Sequence, residues 1–265
     1  MNAVRHYLLA LQFFTRVPVT GRLAGWVGYS PALLRASAAH FPGIGLLVGL
    51  LAAGVAWVLL AWLPPGPFAP FVAAVFSTIA TVLFTGALHE DGLADVADGL
   101  GSYADRRRAL EIMKDSRIGA FGAMALVLAF SAKLGLLALI ASHDAGALAA
   151  GLVLAHVLSR AWPLLLIHWL PYVGEADGVK AKPMADAISG STLAVAATWT
   201  LLAAAGVAWL QGVVFLMVPL LLSALALLAM LRLFARRLQG FTGDCLGATQ
   251  QVCEIGCYLG VALAL

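Results

Sequence analysis

The sequence contains 265 residues, of which 62% are hydrophobic and 11% are charged, and its formal net charge is +3. With a mean hydropathy of +0.96, the chain is far too apolar for a soluble domain and is typical of an all-α polytopic membrane protein embedded in a lipid bilayer. We therefore expect one integral-membrane domain over residues 1–265 and no nucleic-acid partner.

The first predicted element is an interfacial segment over residues 1–35, where apolar and basic side chains alternate over too short a length to cross a bilayer. Membrane spans are predicted over residues 38–63 and 68–88, joined by an uncharged turn at residues 64–67. The second span leads into a polar excursion over residues 90–118. That excursion includes an amphipathic helix from about residue 105 to 113.

Two further spans are predicted over residues 121–141 and 147–170, and a polar loop follows at 171–186. The fifth and sixth spans cover residues 193–210 and 213–233. A loop at 239–247 then precedes a last helix that runs to residue 265, which makes seven spans.

Basic side chains set the predicted orientation. With the N-terminus inside, the positive-inside rule is satisfied, because the opposite turns hold no Lys or Arg. This assignment brings the N-terminal segment, the polar excursion over residues 90–118 and the loops at 171–186 and 239–247 to the cytoplasmic face of the membrane, so a site there could draw on all four. The basic residues on that side are Arg5, Arg16, Arg22, Arg35, Arg106, Arg107, Arg108, Lys114, Arg117, Lys180, Lys182, Arg236 and Arg237.

Seven of the thirteen carboxylates lie between residues 89 and 122. Asp91, Asp95 and Asp98 follow an i, i+4, i+7 spacing, which places them on one helical face about a turn apart. Such a face is most often simply solvated. Here, however, it directly follows an apolar run at a membrane boundary, where clustered charge is costly and usually functional. A divalent cation would relieve the repulsion, and carboxylate-only ligands indicate Mg²⁺ or Mn²⁺.

Three glycines interrupt the same stretch, at Gly92, Gly99 and Gly101. Each costs a helix interior about 1 kcal/mol relative to alanine. Close approach of a phosphate ligand to the backbone would explain why they are there.

Two basic residues, Lys133 and Arg160, fall within predicted spans, and we expect both to face the interior of the bundle. Glu254, on the last helix, is a candidate partner, and the sequence leaves a structural ion pair and a catalytic role equally open. The three cysteines lie near the C-terminus without a second Cys or His pair, so we expect buried, inert thiols.

Grouped carboxylates flanked by Lys114, Arg117 and the backbone at Gly119 suit phosphoryl transfer, because cations neutralise phosphate oxygens and a carboxylate orients the attacking hydroxyl. Residues 95–99 (DVADG) resemble the opening of the CDP-alcohol phosphotransferase signature. The rest of that signature is not reproduced in this chain.

A fuller resemblance covers nearly the whole chain. The sequence is similar to the cobalamin synthase, or adenosylcobinamide-GDP ribazoletransferase, family, although a Glu common in that family after the last motif is Gln251 here. The matching segments are residues 14–19 (FTRVPV), 41–45 (FPGIG), 89–99 (HEDGLADVADG), 110–119 (LEIMKDSRIG) and 242–248 (TGDCLGA), with Lys133 and residues 159–160 (SR).

This resemblance implies that a ribose hydroxyl of α-ribazole, or of its 5′-phosphate, attacks adenosylcobinamide-GDP and releases GMP with the help of Mg²⁺. Asp91, Asp95, Asp98 and Asp115 would hold the metal, and Asp98, by analogy with its position in the D-x-x-D-G segment, would orient or deprotonate the nucleophile. Lys114 and Arg117 would meet phosphate oxygens. The implied substrate-binding residues are His89, Arg16, Ser116, Lys133, Arg160 and Asp244, although Asp244 is equally well explained as the N-cap of the last helix.

Alternatives remain open at this point. A CDP-alcohol-type lipid phosphotransferase shares the chemistry and differs in its substrate. A secondary transporter could use the intramembrane charges, but the carboxylates cluster at the boundary rather than at the midplane, and no internal repeat is visible. The sequence also leaves open whether chains associate as a homo-oligomer.

Overall fold

The computed structural model describes residues 2–174 and 188–265. In these residues all regular structure is helical, apart from one isolated parallel bridge between Tyr172 and Phe241. The predicted interfacial segment, residues 1–35, forms two short helices and most of a third, and a 3₁₀ turn then opens the predicted first span. These are α1 (Asn2–Phe14), α2 (Gly21–Val27), α3 (Pro31–Ser37) and the turn Ala38–His40.

The remaining helices follow the predicted order with small changes at their ends. They are α4 (Phe41–Trp62), α5 (Ala69–Thr85), α6 (Leu88–Gly101), α7 (Arg106–Ile112), α8 (Ala120–His143), α9 (Ala145–Trp169), α10 (Gly190–Gln211), α11 (Val213–Arg237) and α12 (Gly243–Leu263). The prediction of an all-α polytopic membrane protein is therefore confirmed.

The described helices include five or six candidate membrane spans. Five described helices are long and apolar enough to cross a membrane, namely α4 (with α3 leading into it), α8, α9, α10 and α11. A sixth span results if α5 and α6, which are bent by 89°, are counted as one. The expected seventh span, α12, has the length, but its polar residues keep it out of this set, so the count of seven stays a prediction.

Helix α9 is the central helix of the bundle: 78% of its most apolar stretch is buried inside the protein. It packs against α4, α10, α11 and α12. Gly45 and Gly49 of α4 allow this closeness, since a Cβ added at Gly45 would lie 2.2 Å from the carbonyl oxygen of His156. The small residues of α4 therefore bring two backbones into contact at the core.

A sharp elbow separates α5 from α6. Gly86 and Ala87 both adopt left-handed backbone angles, with φ of +71° and +59°. Ala87 pays about 1–2 kcal/mol for that conformation, and the turn directs α6 sideways against α8 and α12. The predicted polar excursion therefore begins with a helix that is packed into the bundle.

The glycines of the acidic stretch serve helix packing, which corrects the expectation that a phosphate ligand explains them. A Cβ at Gly92 would lie 2.8 Å from the backbone oxygen of Asp244, and one at Gly99 would lie 2.9 Å from that of Ala109. At Gly101 a Cβ would meet the ring of Phe121 at 2.7 Å. Protein atoms, and not a ligand, occupy the space that these residues leave.

The polar loops meet at one end of the bundle, as the charge pattern predicted. Arg237 donates to the carbonyl oxygens of Leu100, Ser102 and Ala104, each at 3.3 Å. The amide of Val173 donates to the carbonyl oxygen of Phe241 at 2.9 Å. The part of the loop at 171–186 from residue 175 onwards, including Lys180 and Lys182, lies outside the described residues.

The three cysteines, Cys245, Cys253 and Cys257, are free and buried. They pack in the hydrophobic core with the apolar faces of the neighbouring helices. The expectation of buried thiols without a disulfide is confirmed.

Candidate active site

A cavity of about 270 Å³ lies where the polar segments meet. The end of α1, the start of α6, the residues after α9 and the start of α12 all contribute to its wall, so all four predicted segments take part. Its aromatic side chains are Phe13, Phe14, Phe41, His89, Tyr172 and Phe241. Its polar side chains include Asp91, Lys114, Arg160, Thr242, Asp244 and Gln250.

A second cavity, of about 260 Å³, is also lined by residues of α6. Asp91 lines both cavities, while Glu90, Asp95 and Ser116 line only the second. Helix α6 therefore forms part of the wall of both cavities, with Asp91 common to the two.

Carboxylates from two distant parts of the chain interact beside this wall. Helix α6 is bent by 89° from α5 and is not one of the five described helices that are long and apolar enough to span a membrane. Burial, followed by the negative charges of Asp244, Asp91 and Asp98, raises the pKa of Asp95 to about 7. The pKa of Asp244 is raised by burial and by Asp91, against the lowering effect of its hydrogen bond with Thr242. The repulsion expected among Asp91, Asp95 and Asp98 is present, and Asp244 adds to it.

Asp98 accepts hydrogen bonds from the backbone at the start of α8. Its Oδ2 accepts a hydrogen bond from the amide of Gly119 at 2.7 Å, and its Oδ1 accepts one from the amide of Gly122 at 2.8 Å. These amides belong to the first turn of α8, where backbone donors have no intrahelical partner and the helix dipole favours negative charge. Asp98 therefore anchors the start of α8 with both of its oxygens.

Asp115 and Arg117 form an exposed pair on the connection before α8. The guanidinium donates twice to the carboxylate, at 2.9 Å and 2.6 Å. These bonds, together with the backbone amide of Arg117, hold the pKa of Asp115 down at about 2. The predicted metal ligand and the predicted phosphate contact are therefore engaged with each other.

The other predicted site residues divide between the cavities and the surface. His89 is buried, and its ring stacks on Phe14 with centroids 6.1 Å apart and planes 12° apart. Lys114 lines the first cavity and Ser116 the second. Arg16 is exposed and lies over Gly86 at the elbow. Among the described residues, the lining of neither cavity includes Arg16.

Thr242, and not Asp244, caps the last helix. The Thr242 hydroxyl accepts a hydrogen bond from the amide of Cys245. Asp244 is instead a first-turn residue whose side chain lines the first cavity. The N-cap interpretation of Asp244 is therefore wrong, and the carboxylate is available to the cavity.

The donor set at the wall suits a hard divalent cation, because it consists of carboxylate oxygens whose mutual repulsion raises the pKa of Asp95. Asp91, Asp95 and Asp244 would supply the oxygens. In residues 2–174 and 188–265, however, no three His, Cys, Asp or Glu side chains are already arranged to hold a metal ion. Side-chain rotation would have to complete such a site.

A network of buried polar side chains joins α8, α9 and α12 inside the bundle. The Lys133 Nζ lies 2.5 Å from Oε1 of Glu254, and both side chains are almost fully buried. The Tyr258 hydroxyl and the Gln250 amide also donate to Glu254, at 3.0 Å and 2.5 Å. Glu254 is therefore the partner of Lys133, and Lys133 is absent from the lining of both cavities described here.

Comparison with known proteins identifies the family. The family described as cobalamin-5-phosphate synthase matches residues 6–262. The chain belongs to the cobalamin-5-phosphate synthase family. A relative from Polaromonas sp. (strain JS666), named adenosylcobinamide-GDP ribazoletransferase, is 60% identical over 99% of this chain and 98% of its own. Relatives with the same name from Polaromonas naphthalenivorans and Shewanella amazonensis are 58% and 42% identical, over 100% and 97% of this chain and 100% and 94% of theirs. No solved structure matches.

This member of the cobalamin-5-phosphate synthase family is therefore an enzyme, a transferase of cobalamin biosynthesis with multiple membrane helices. Residues that the sequence did not single out also line its first cavity, among them Gln250, Tyr172 and Phe241. Gln250 precedes Glu254 by four residues, so the two share a helical face. A polar i, i+4 pair on an otherwise apolar helix could have indicated it.

Proposed function

We propose that the protein transfers the adenosylcobinamide-phosphate moiety of adenosylcobinamide-GDP to α-ribazole or its 5′-phosphate, releasing GMP. The family membership supports the reaction. The observation that carries its location is the first cavity, which Asp91, Asp244, Lys114 and Arg160 line together, with Asp95 in the neighbouring second cavity and close enough to feel the charges of Asp91 and Asp244. Carboxylates and cations around one chamber are what a phosphoryl-transfer site requires.

In this reaction the ribose hydroxyl oxygen forms a bond to the cobinamide-side phosphorus. The bond from that phosphorus to the bridging oxygen breaks, and GMP leaves with the bonding electrons. A bound Mg²⁺ or Mn²⁺ would neutralise charge on the phosphate oxygens. Asp91, Asp95 and Asp244 are the residues we assign to hold it, while Asp98 and Asp115, also predicted as ligands, already bind α8 and Arg117.

A proton must leave the attacking hydroxyl, and we assign its removal to whichever of Asp91, Asp95 and Asp244 does not hold the metal. Asp98, which the sequence favoured for this role, has its orientation set by the amides of Gly119 and Gly122. Lys114 lies in the wall of the first cavity, where it can meet a phosphate oxygen.

The competing classes receive less support. A lipid phosphotransferase would need a different family assignment from the one found here. A transporter would need intramembrane charges that exchange partners, whereas Lys133 and Glu254 contact each other directly. We place the site on the cytoplasmic face of the inner membrane, on the grounds of the basic loops gathered at that end.

The test is direct. Purified protein is incubated with adenosylcobinamide-GDP, α-ribazole and Mg²⁺, and GMP and the corrinoid product are measured together. We expect equal amounts of both, and none when α-ribazole is omitted. GMP released without acceptor would indicate a hydrolase, and full turnover in excess chelator would rule out the metal.

A further inference from the structure

Arg160 is a buried cation in the wall of the first cavity. Only 4% of the residue is exposed, yet it lines the first cavity. Its Nη1 donates to the carbonyl oxygen of His156 at 3.2 Å and contacts that residue's Nδ1 at 3.1 Å. Its Nε has no partner, and within the described residues Arg160 forms no ion pair. A buried charge left in this way is costly unless a ligand satisfies it.

Two buried carboxylates, Glu254 and Glu90, act electrostatically on Arg160, but neither is within ion-pair distance of it. Oε1 of Glu254 lies 2.5 Å from Lys133 and accepts from Tyr258, while its Oε2 accepts from Gln250 and lies 3.4 Å from Nδ1 of His156. These contacts use both oxygens. Glu254 therefore attracts Arg160 without pairing with it, and the Arg160 side chain, which lines the first cavity, can meet a ligand there.

The rest of the cavity wall is suited to a flat ring. Phe14 packs edge-on against Phe41 with centroids 4.2 Å apart and stacks on His89. Tyr172 packs edge-on against Phe241 at 5.6 Å. Aromatic surfaces of this kind hold nucleobases by stacking. At about 270 Å³ the chamber is near the lower limit for small-ligand pockets, which is closer to the size of one nucleotide than to that of the whole corrinoid donor.

We infer that the first cavity is a nucleotide chamber, in which Arg160 binds a phosphate at the floor and the aromatic wall holds the base. The ligand class is an aromatic-base nucleoside monophosphate. The inference rests on the proposed function, which supplies two such ligands: the GMP portion of the donor and the acceptor in its 5′-phosphate form. The corrinoid portion stays outside this chamber.

The experiment compares ligands that differ only in the phosphate. Dissociation constants are measured by calorimetry for GMP against guanosine and for α-ribazole 5′-phosphate against α-ribazole, in the wild type and in Arg160→Gln. We expect the wild type to prefer the phosphorylated form in at least one pair. Arg160→Gln should reduce that preference roughly 10- to 100-fold, as for the loss of a charged hydrogen bond. The pair that responds identifies the source.

Matched variants separate recognition from folding. Arg160→Lys keeps the charge and should retain part of the preference. Arg107→Gln removes an exposed arginine that pairs with Glu111 and should leave the preference unchanged. If Arg160→Gln does not fold, Arg160→Gln with Glu90→Gln removes one buried charge of each sign, and the same preference is measured there.

An unchanged preference in folded Arg160→Gln would overturn the inference, as would a wild type that binds both members of each pair equally. The proposed function can fail while this inference holds: the wild type would then bind GMP through Arg160 but form no corrinoid product. The inference can also fail while the function holds: the wild type would then form the product, and Arg160→Gln would leave the preference for the phosphorylated ligand unchanged in both pairs.

Discussion

Asp95 and Asp98 differ in surroundings although they share one face of α6. Asp95 faces a cavity and other carboxylates, and its pKa is raised to about 7. Asp98 points to the amides at the start of α8. Two residues that the sequence treats as equivalent therefore make different contributions, one electrostatic and one structural.

The raised pKa of Asp95 predicts a pH-dependent effect of Asp95→Asn. In the unfolded chain this carboxyl titrates near 3.8, and in the folded protein near 7. Between these values the unfolded state loses a proton that the folded state keeps, so the contribution of Asp95 to stability falls as pH rises from about 4 to 7. Asparagine does not titrate. In the presence of chelator, Asp95→Asn should melt above the wild type at pH values over 7, and the difference should shrink toward pH 4.

Activity of the same protein provides the second measurement. Asp95→Asn should abolish GMP release at every pH, because neither a metal ligand nor a base remains at that position. A constant difference in melting temperature across this range would contradict the electrostatic account. Retained turnover would remove Asp95 from the site.

Asp98→Asn should lower the stability of the folded protein, whereas Asp95→Asn should raise it above pH 7. An asparagine side chain has one acceptor oxygen, so only one of the amides of Gly119 and Gly122 keeps its bond. We expect the free energy of unfolding to fall by about 1–3 kcal/mol, which thermal unfolding will show. Asp95→Asn is the matched control, one turn away on the same helix. An unchanged melting temperature would show that Asp98 does not anchor α8.

At the scale of helices, the contact between α8 and α12 depends on a charge pair inside the bundle. The sequence left two roles open for Lys133, and the 2.5 Å contact with Glu254 favours the structural one. Removing one member of a buried pair strands the other charge. The packing of α8 on α12 should therefore be sensitive to Lys133.

Lys133→Met should lower the free energy of unfolding by roughly 3–5 kcal/mol. Lys133→Met combined with Glu254→Gln should recover much of this loss, since no charge is then stranded. Melting temperature and GMP release are measured on the wild type, the single variant and the double variant. A stable but inactive Lys133→Met protein would instead support a direct catalytic role.

At the scale of the whole molecule, the charge pattern predicts which end faces the cytoplasm. The residues around Arg106, Arg237 and the acidic helix meet at one end of the bundle. Gly66, in the turn between α4 and α5, is exposed, as is Tyr103 between α6 and α7. These two positions are suitable reporters of the two faces.

Gly66→Cys should react with a membrane-impermeant thiol reagent added from the periplasmic side. Tyr103→Cys should react only after the membrane is opened. The unchanged chain is the control, because its three cysteines are buried. The reverse pattern of labelling would invert the orientation and move the proposed site to the periplasmic face.

The sequence by itself determined the helical class, the order of the helices and the gathering of polar loops at one end. Hydropathy decides which segments enter a bilayer and loop charge decides their orientation, and both are local properties of the chain. Its motifs also indicated the family. Only the tertiary structure decided that Gly86 and Ala87 turn α6 into the bundle, that Asp98 anchors α8 and that Glu254 pairs with Lys133. The first depends on the backbone angles of a turn, and the other two depend on contacts between residues 21 to 121 positions apart. The spacing of residues along one helix does not indicate which residues of another helix will pack against it.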